Sequence, residues 1–121
     1  MAVTSVLSTE AEMDAMAGEN VDATGYTEAN KTAWGIQAEG FLCALTNYDL
    51  VTNVATLVAN FKPILSEYVS RYVGMQAILY NMEGFTSRVE AEDMANVHLG
   101  RMKAIEKLLS KDEVLASMGV V

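Results

Sequence analysis

One residue of this chain is well suited to proton transfer, the single histidine His98, because imidazole changes its charge near neutral pH. The carboxylates of Glu90, Glu92 and Asp93 precede it and suggest a carboxylate–histidine metal site. Di-iron bundles place a glutamate three residues before a histidine on two helices. Here Ala95 holds that position and the chain has no second histidine, so we predict that His98 binds no metal.

The neighbours of His98 favour a structural role. Met94 and Met102 lie four residues to either side, so all three side chains share one apolar helical stripe. General acid/base catalysis by histidine would depend on this residue alone. A histidine on such a stripe is more often part of the core, and we predict a position at the core edge.

The single cysteine, Cys43, also predicts no reaction chemistry. It excludes an internal disulfide and a four-cysteine metal site. It lies between Leu42 and Ala44 on a predicted helix without a basic neighbour, whereas a reactive thiol needs an electropositive, accessible setting. The glycines lack the spacing of dinucleotide-binding or phosphate-binding loops. We therefore predict no catalytic, cofactor-binding or metal-binding residue, and a protein that is not an enzyme.

Composition predicts one folded domain over residues 1–121. Half of the residues are apolar, and the chain holds one proline and eight glycines, which favours long helices over a many-turned β fold. The net charge is −8, and residues 1–61 hold eight acids against the single base Lys31. Without a basic stripe, binding along a nucleic-acid backbone is disfavoured, although DNA could pass such a surface without sticking.

The first residues of the chain and the length of its apolar runs predict its cellular location. Residues 1–7 lack the basic segment and the apolar length of a signal peptide. No apolar run approaches the roughly 18 residues that a membrane span needs. We therefore expect an intracellular, reducing compartment and no membrane association.

Capping signals divide the N-terminal half into elements. Residues 1–8 predict an extended arm, and Thr9 with Glu12 forms a capping box that starts a short helix ending at Gly18. Thr27 is the predicted N-cap of a helix over residues 28–47. Asp49 can cap a further helix over 50–59.

A long helix over residues 61–82 is the strongest pattern in the chain. Pro63 falls in its first turn, where the missing amide costs nothing. Its apolar arc is wider than one stripe, which is typical of a helix central to a bundle or shared with a neighbouring subunit. Both interpretations stay open. If the helix is shared with a neighbouring subunit, the predicted interface consists of four residues of this helix and three of an apolar tail over 117–121: Ile64, Val69, Val73, Ile78, Met118, Val120 and Val121.

Two more helices are predicted in the C-terminal part. Gly84 ends the long helix, and a capping box of Ser87 with Glu90 starts the next one. Ser110 with Glu113 forms a third box before a short terminal helix. The predicted fold class is all-α, a small bundle of four to six helices with a long central helix.

Three stretches resemble the small helical head–tail connector proteins of tailed bacteriophages, also called adaptor or head-completion proteins. The resemblance covers about residues 8–110. The stretches are Trp34 with Gln37-Ala38-Glu39-Gly40, then Thr46-Asn47-Tyr48-Asp49, and then Tyr80-Asn81-Met82-Glu83-Gly84-Phe85-Thr86 leading into Glu90-Ala91-Glu92.

The resemblance implies a structural subunit of the virion neck, with no catalytic residues. Copies of the chain would form a ring, commonly of about twelve subunits, between the portal and the neck or tail proteins. DNA would pass through the lumen without specific binding. The family docks a terminal segment on the portal, which falls here on residues 118–121.

Two other classes compete with a connector. A small acidic helical binding or regulatory module could act on a host protein through the acidic N-terminal half. An enzyme would need His98 or a pair of carboxylates in a pocket.

Overall fold

The computed structural model describes residues 7–17, 26–80 and 88–119. Within these ranges every regular element is helical, which confirms the predicted all-α class. Two 3-10 turns, Val54–Thr56 and Ala59–Phe61, lie between the second and third α-helices. The five α-helices are α1 (Glu10–Ala17), α2 (Glu28–Thr46), α3 (Lys62–Tyr80), α4 (Arg88–Leu109) and α5 (Asp112–Met118).

The caps predicted at Thr9 and Thr27 are confirmed. The Thr9 amide donates to Glu12 Oε1 at 2.8 Å, and the Glu12 amide donates to Thr9 Oγ1 at 3.2 Å. At the start of α2, Thr27 Oγ1 accepts from the Asn30 amide. The end of α2 is fixed by Asn47, whose left-handed φ of 53° lets its amide bond to the Cys43 carbonyl.

The predicted helix over residues 50–59 is wrong. Asp49 does cap, since its Oδ1 accepts from the Thr52 amide at 3.0 Å, but only turns follow. Valine and threonine alternate at positions 51, 52, 54, 56 and 58, and β-branched side chains lower the helix propensity. Asn53, Thr56 and Leu57 bond within the segment, and the Val58 amide donates to the Met118 carbonyl at 2.8 Å, which joins the end of the segment to the C-terminal helix.

Helix α3 is the central element, as predicted, and packs against α1, α2 and α4. Pro63 is its second residue, as the sequence predicts. Gly74 brings α1 close, because a Cβ at this position would lie 2.9 Å from the backbone carbonyl carbon of Met16. The core around α3 contains Met13, Leu42, Leu65, Val69, Val73, Ile105 and Leu109.

Helix α4 presents the predicted inner face, with His98, Met102, Ile105 and Leu109 buried. The terminal helix α5 exists, but its predicted capping box does not form. Lys111 is the N-cap and makes no side-chain cap bond, while the Ser110 hydroxyl donates to the Lys107 carbonyl at 2.8 Å. A serine bonded backwards to the preceding turn is unable to cap the next helix.

Several predictions fall on residues outside the described ranges: the extended arm up to residue 6, Gly18, Gly84, and Ser87 of the box with Glu90. Leu7 and Ser8, at the end of the predicted arm, are buried. Over the described ranges, no helix combines the length and apolarity needed to cross a membrane.

Candidate functional site

The polar cluster with the most chemical potential surrounds His98, which is buried where α1, α3 and α4 meet. Its Nε2 lies 2.9 Å from the Met16 carbonyl, and its Nδ1 lies 3.1 Å from Nη1 of Arg71. A carbonyl only accepts, so Nε2 carries the hydrogen and Nδ1 accepts from the guanidinium. Both ring nitrogens are therefore engaged, and the neutral imidazole joins three helices.

The electrostatics around His98 favour this neutral form. Burial lowers its pKa below the ordinary 6.5, the Arg71 charge lowers it further, and the hydrogen bond to Met16 opposes both. Glu67 lies beside the pair and accepts from Nε of Arg71 at 2.8 Å and from Nε of Arg101 at 2.6 Å. These bonds hold the pKa of the Glu67 carboxyl below its usual range. The cluster has the bonding of a structural anchor, as the apolar stripe around His98 predicts.

A second polar cluster fixes the N-terminal segment to α2. Lys31 Nζ lies 3.3 Å from carboxylate oxygens of both Glu10 and Asp14, and 3.9 Å from the centre of the Tyr26 ring. The Tyr26 hydroxyl donates to Asp14 at 2.6 Å, and burial with this bond raises the pKa of the tyrosine. Eight residues along α2, the Glu39 carboxylate accepts from the Leu7 amide at 2.7 Å. The charged side chains of α2 after its first turn, Lys31 and Glu39, are thus both turned inward and buried.

Two further features were tested for chemistry. Cys43 is half-buried against the core, in keeping with the structural role predicted for it. An open cleft of about 300 Å³ lies beside Leu7 and Leu65, and its polar lining comes from Lys62 and Ser66. The Ser66 hydroxyl already donates to the Pro63 carbonyl at 3.0 Å. Over the described ranges, no three or more histidine, cysteine, aspartate or glutamate side chains are grouped to bind a metal.

The residues predicted as a subunit interface lie mostly inside the chain. Val69, Val73, Ile78 and Met118 have no exposed surface, and Ile64 is half-buried. Val120 and Val121 lie outside the described ranges. The wide apolar arc of α3 is explained by its contacts with three helices of its own chain. The inference from that width to an interface on α3 is therefore corrected for Val69, Val73 and Ile78, which are core residues of the chain itself.

The surface that sequence reasoning missed is the outer face of α2. Ile36 and Phe41 are 55% and 46% exposed. Phe41 lies at one edge, stacked on the buried Tyr68 ring at 6.0 Å between centroids and 5° between planes. The face carries no charge between residues 29 and 47, because Lys31 and Glu39 point inward. We call it the α2 face: Ala29, Ala33, Ile36, Gln37, Gly40, Phe41 and Ala44.

A second exposed apolar surface lies on α4. Val97 is 66% exposed and Leu108 is 40% exposed. Gly100, Ala104 and Leu108 share one helical row, and Val97 borders it. We call this surface the α4 face: Val97, Gly100, Ala104 and Leu108, flanked by the exposed bases Lys103, Lys107 and Lys111.

The spacing of the charges along α2 is the signal that could have revealed its face. Two charged residues eight positions apart fall within about 80° of each other on a helix, so the remaining arc is uncharged. The spacing of apolar residues alone does not reveal this face, because Trp34, Ala38 and Leu45 share one helical stripe with Phe41, which is exposed. Comparison with models of known protein families, with curated proteins and with solved structures finds no match to this chain.

Proposed function

We propose that this chain is a structural subunit of a tailed bacteriophage particle, one copy in a ring-shaped head–tail connector under the portal, through which DNA passes. The sequence resemblance to connector proteins supplies the setting. The observation that carries the proposal is the α2 face, an uncharged surface with exposed Ile36 and Phe41 on a chain with a net charge of −8. An exposed helix face that carries large apolar side chains and no charge is typical of contacts between proteins.

The charge balance supports a channel that DNA passes. Sixteen acids against eight bases give an acidic subunit, and a ring of such subunits repels the phosphate backbone. The exposed bases Lys103, Lys107 and Lys111 at the end of α4 are followed by the exposed acids Asp112 and Glu113 in the first turn of α5, which oppose the basic charge there. Non-specific binding to DNA requires several unopposed basic contacts.

The test is native mass spectrometry and negative-stain imaging of the purified protein, alone and with the portal protein of the same phage. The proposal expects closed rings or portal-bound rings, and peptides of the chain in purified particles. A protein that stays monomeric at every concentration and is absent from particles contradicts the proposal.

The acidic N-terminal side favours a second candidate, a small module that regulates a host protein. Glu10 and Asp14 are 42% and 53% exposed at the side chain even while they contact Lys31. This surface could bind a basic partner through charge. Capture from host lysate distinguishes the candidates, since a regulatory module is recovered with one host protein and is absent from particles.

A further inference from the structure

Resting on the proposed ring, we propose that α1 of each copy docks on the neighbouring copy, in the groove that α2, α3 and α4 form beneath α1. We call this surface the α1 groove and define it by the residues that contact the N-terminal segment: Lys31, Glu39, Gly74 and His98. In a single chain α1 fills its own groove. In the ring the same contacts form between neighbours, so that each subunit is completed by the next one.

The α1 groove admits a helix at backbone distance. Gly74 leaves the space for this approach, since a Cβ there would lie 2.9 Å from the backbone carbonyl carbon of Met16. Met13 and Ala17, the two apolar residues on the inner side of α1, have no exposed surface. The α1 groove is therefore closed by a short helix that brings one large and one small apolar side chain.

Buried polar groups of the α1 groove select α1 as the occupant. Lys31 is 8% exposed, and its Nζ lies 3.3 Å from carboxylate oxygens of both Glu10 and Asp14. His98 is 7% exposed, and its Nε2 donates to the Met16 carbonyl at 2.9 Å. Burial of such groups without a partner is costly. An occupant must therefore bring two carboxylates one turn apart and a free carbonyl at its helix end, and α1 supplies all three.

The connection that follows α1 is long enough to reach a neighbouring copy. Residues 18–27 separate Ala17 of α1 from Glu28 of α2, which is ten residues, whereas helix-to-helix connections in bundles usually have about 2–8. In a single chain these ten residues join points that lie close together, because the Tyr26 hydroxyl donates to Asp14 at 2.6 Å. Ten extended residues span up to roughly 33–36 Å, and packed helix axes lie only roughly 8–10 Å apart. The connection is thus longer than docking within one chain requires.

Exchange of α1 also gives the ring its direction. The donor is α1 and the acceptor is the α1 groove, which are two different surfaces of the same chain. Their contact is therefore head-to-tail, the kind that closes into a ring. Because the exchanged segment is identical in every copy, all its contacts in the single chain are kept, which makes exchange a low-cost route to assembly.

Two co-expressed chains and a zero-length crosslink test the exchange. One chain has the wild-type sequence, and the other carries Ala11→Ser in α1 and Ala33→Ser in α2 as mass markers, both at exposed positions. Purified rings are treated with a carbodiimide, which joins a lysine amine only to a carboxylate in direct contact, such as Lys31 to its partners on α1. Cleavage before Asp22 separates the α1 peptide from the α2 peptide. Mass spectrometry then shows whether the joined peptides come from the same kind of chain.

Exchange predicts mixed crosslinks in the ring. In rings assembled from equal amounts, about half of the Lys31 crosslinks should join a marked to an unmarked peptide, because about half of the neighbours are of the other kind. Monomers obtained by dilution should give crosslinks of one kind only. The matched control is Lys31→Arg, which keeps the charge but offers no amine for coupling, so these crosslinks should disappear.

The other outcomes overturn the inference at different levels. Rings whose Lys31 crosslinks all join peptides of one kind, or rings without such a crosslink, reject the exchange while the ring proposal stands. A chain that forms no ring, alone or with portal, and is absent from particles rejects both.

Discussion

Helices α2 and α3 have the same length, and they use their apolar residues in opposite ways. Helix α3 has the wider apolar arc in sequence, but α1, α2 and α4 cover it, and Val69, Val73 and Ile78 have no exposed surface. Helix α2 buries its charged Lys31 and Glu39 and leaves Ile36 and Phe41 exposed.

The contrast teaches that the width of an apolar arc does not identify an interface. A wide arc indicates that a helix has many neighbours, and those neighbours can belong to the same chain. The direction of the charges is more informative, because a charged side chain at the surface costs nothing and marks a face as solvated. A helix whose charged side chains are turned inward leaves an outer face that carries no charge. The following measurements test this contrast, from the largest expected effect to the smallest.

The interior of α3 should tolerate no charge. Val73→Asp buries a carboxylate without a partner, and we expect a loss of more than about 4 kcal/mol of unfolding free energy, which leaves little folded protein. The measurement is urea unfolding followed by circular dichroism. Ile36→Asp, the matched change on the α2 face, should cost about 0.5 kcal/mol or less at protein concentrations too low for association. Similar losses in the two variants would remove the contrast between the helices.

Two adjacent residues of α2 separate its inner and outer faces. Leu42 is fully buried, so Leu42→Ala should lower the unfolding free energy by about 2–5 kcal/mol. Phe41 rests one ring face on Tyr68 and exposes the other, so Phe41→Ala should cost about 1 kcal/mol. Both are measured by denaturant unfolding. A larger loss at Phe41 than at Leu42 would mean that the rotation of α2 is different.

Two helical glycines should respond to alanine with opposite signs. A Cβ at Gly74 would lie 2.9 Å from the Met16 backbone, so Gly74→Ala must displace α1 and should cost about 1–3 kcal/mol. A Cβ at Gly40 meets nothing within 4 Å, so Gly40→Ala should stabilise α2 by up to about 1 kcal/mol. Thermal unfolding of the two variants under one buffer condition provides the comparison. Stabilisation by Gly74→Ala would contradict the close approach of α1.

The smallest expected effect is the pH dependence of stability that comes from His98, whose hydrogen bonds join α1, α3 and α4. Because the folded-state pKa of His98 is lowered from 6.5, its contribution to stability is complete above about 6.5 and is lost as pH falls through the folded-state pKa. Protonation also places an imidazolium against Arg71 and breaks the bond that Nδ1 accepts. The unfolding free energy should fall as the pH is lowered from 8 to 5. The part of this fall that comes from the acids should remain in the His98→Gln variant, and the part that comes from His98 should be absent from it. An unchanged slope in the variant would show that His98 is not the group that titrates.

Local chemistry predicted much of the helical layout. The capping box of Thr9 with Glu12 and the cap at Thr27 each depend on side chains within three residues, so they form without information from the rest of the fold. The caps at Asp49 and Ser110 show where local signals fail. Asp49 caps only a turn, in a segment whose end is joined to the C-terminal helix by the bond from the Val58 amide to the Met118 carbonyl, and Ser110 bonds backwards to Lys107.

The sequence by itself determined the all-helical class, the central place of α3, the acidic surface and the structural position of His98, because periodicity, caps and charge act over one or two helical turns. Only the tertiary structure decided which apolar residues are covered. Whether Val73 or Ile36 faces water depends on which helices pack beside it, and those neighbours lie tens of residues away in the chain. The candidate assembly surface was therefore found from burial, after Val69, Val73, Ile78 and Met118, predicted from pattern alone, had proved to be core.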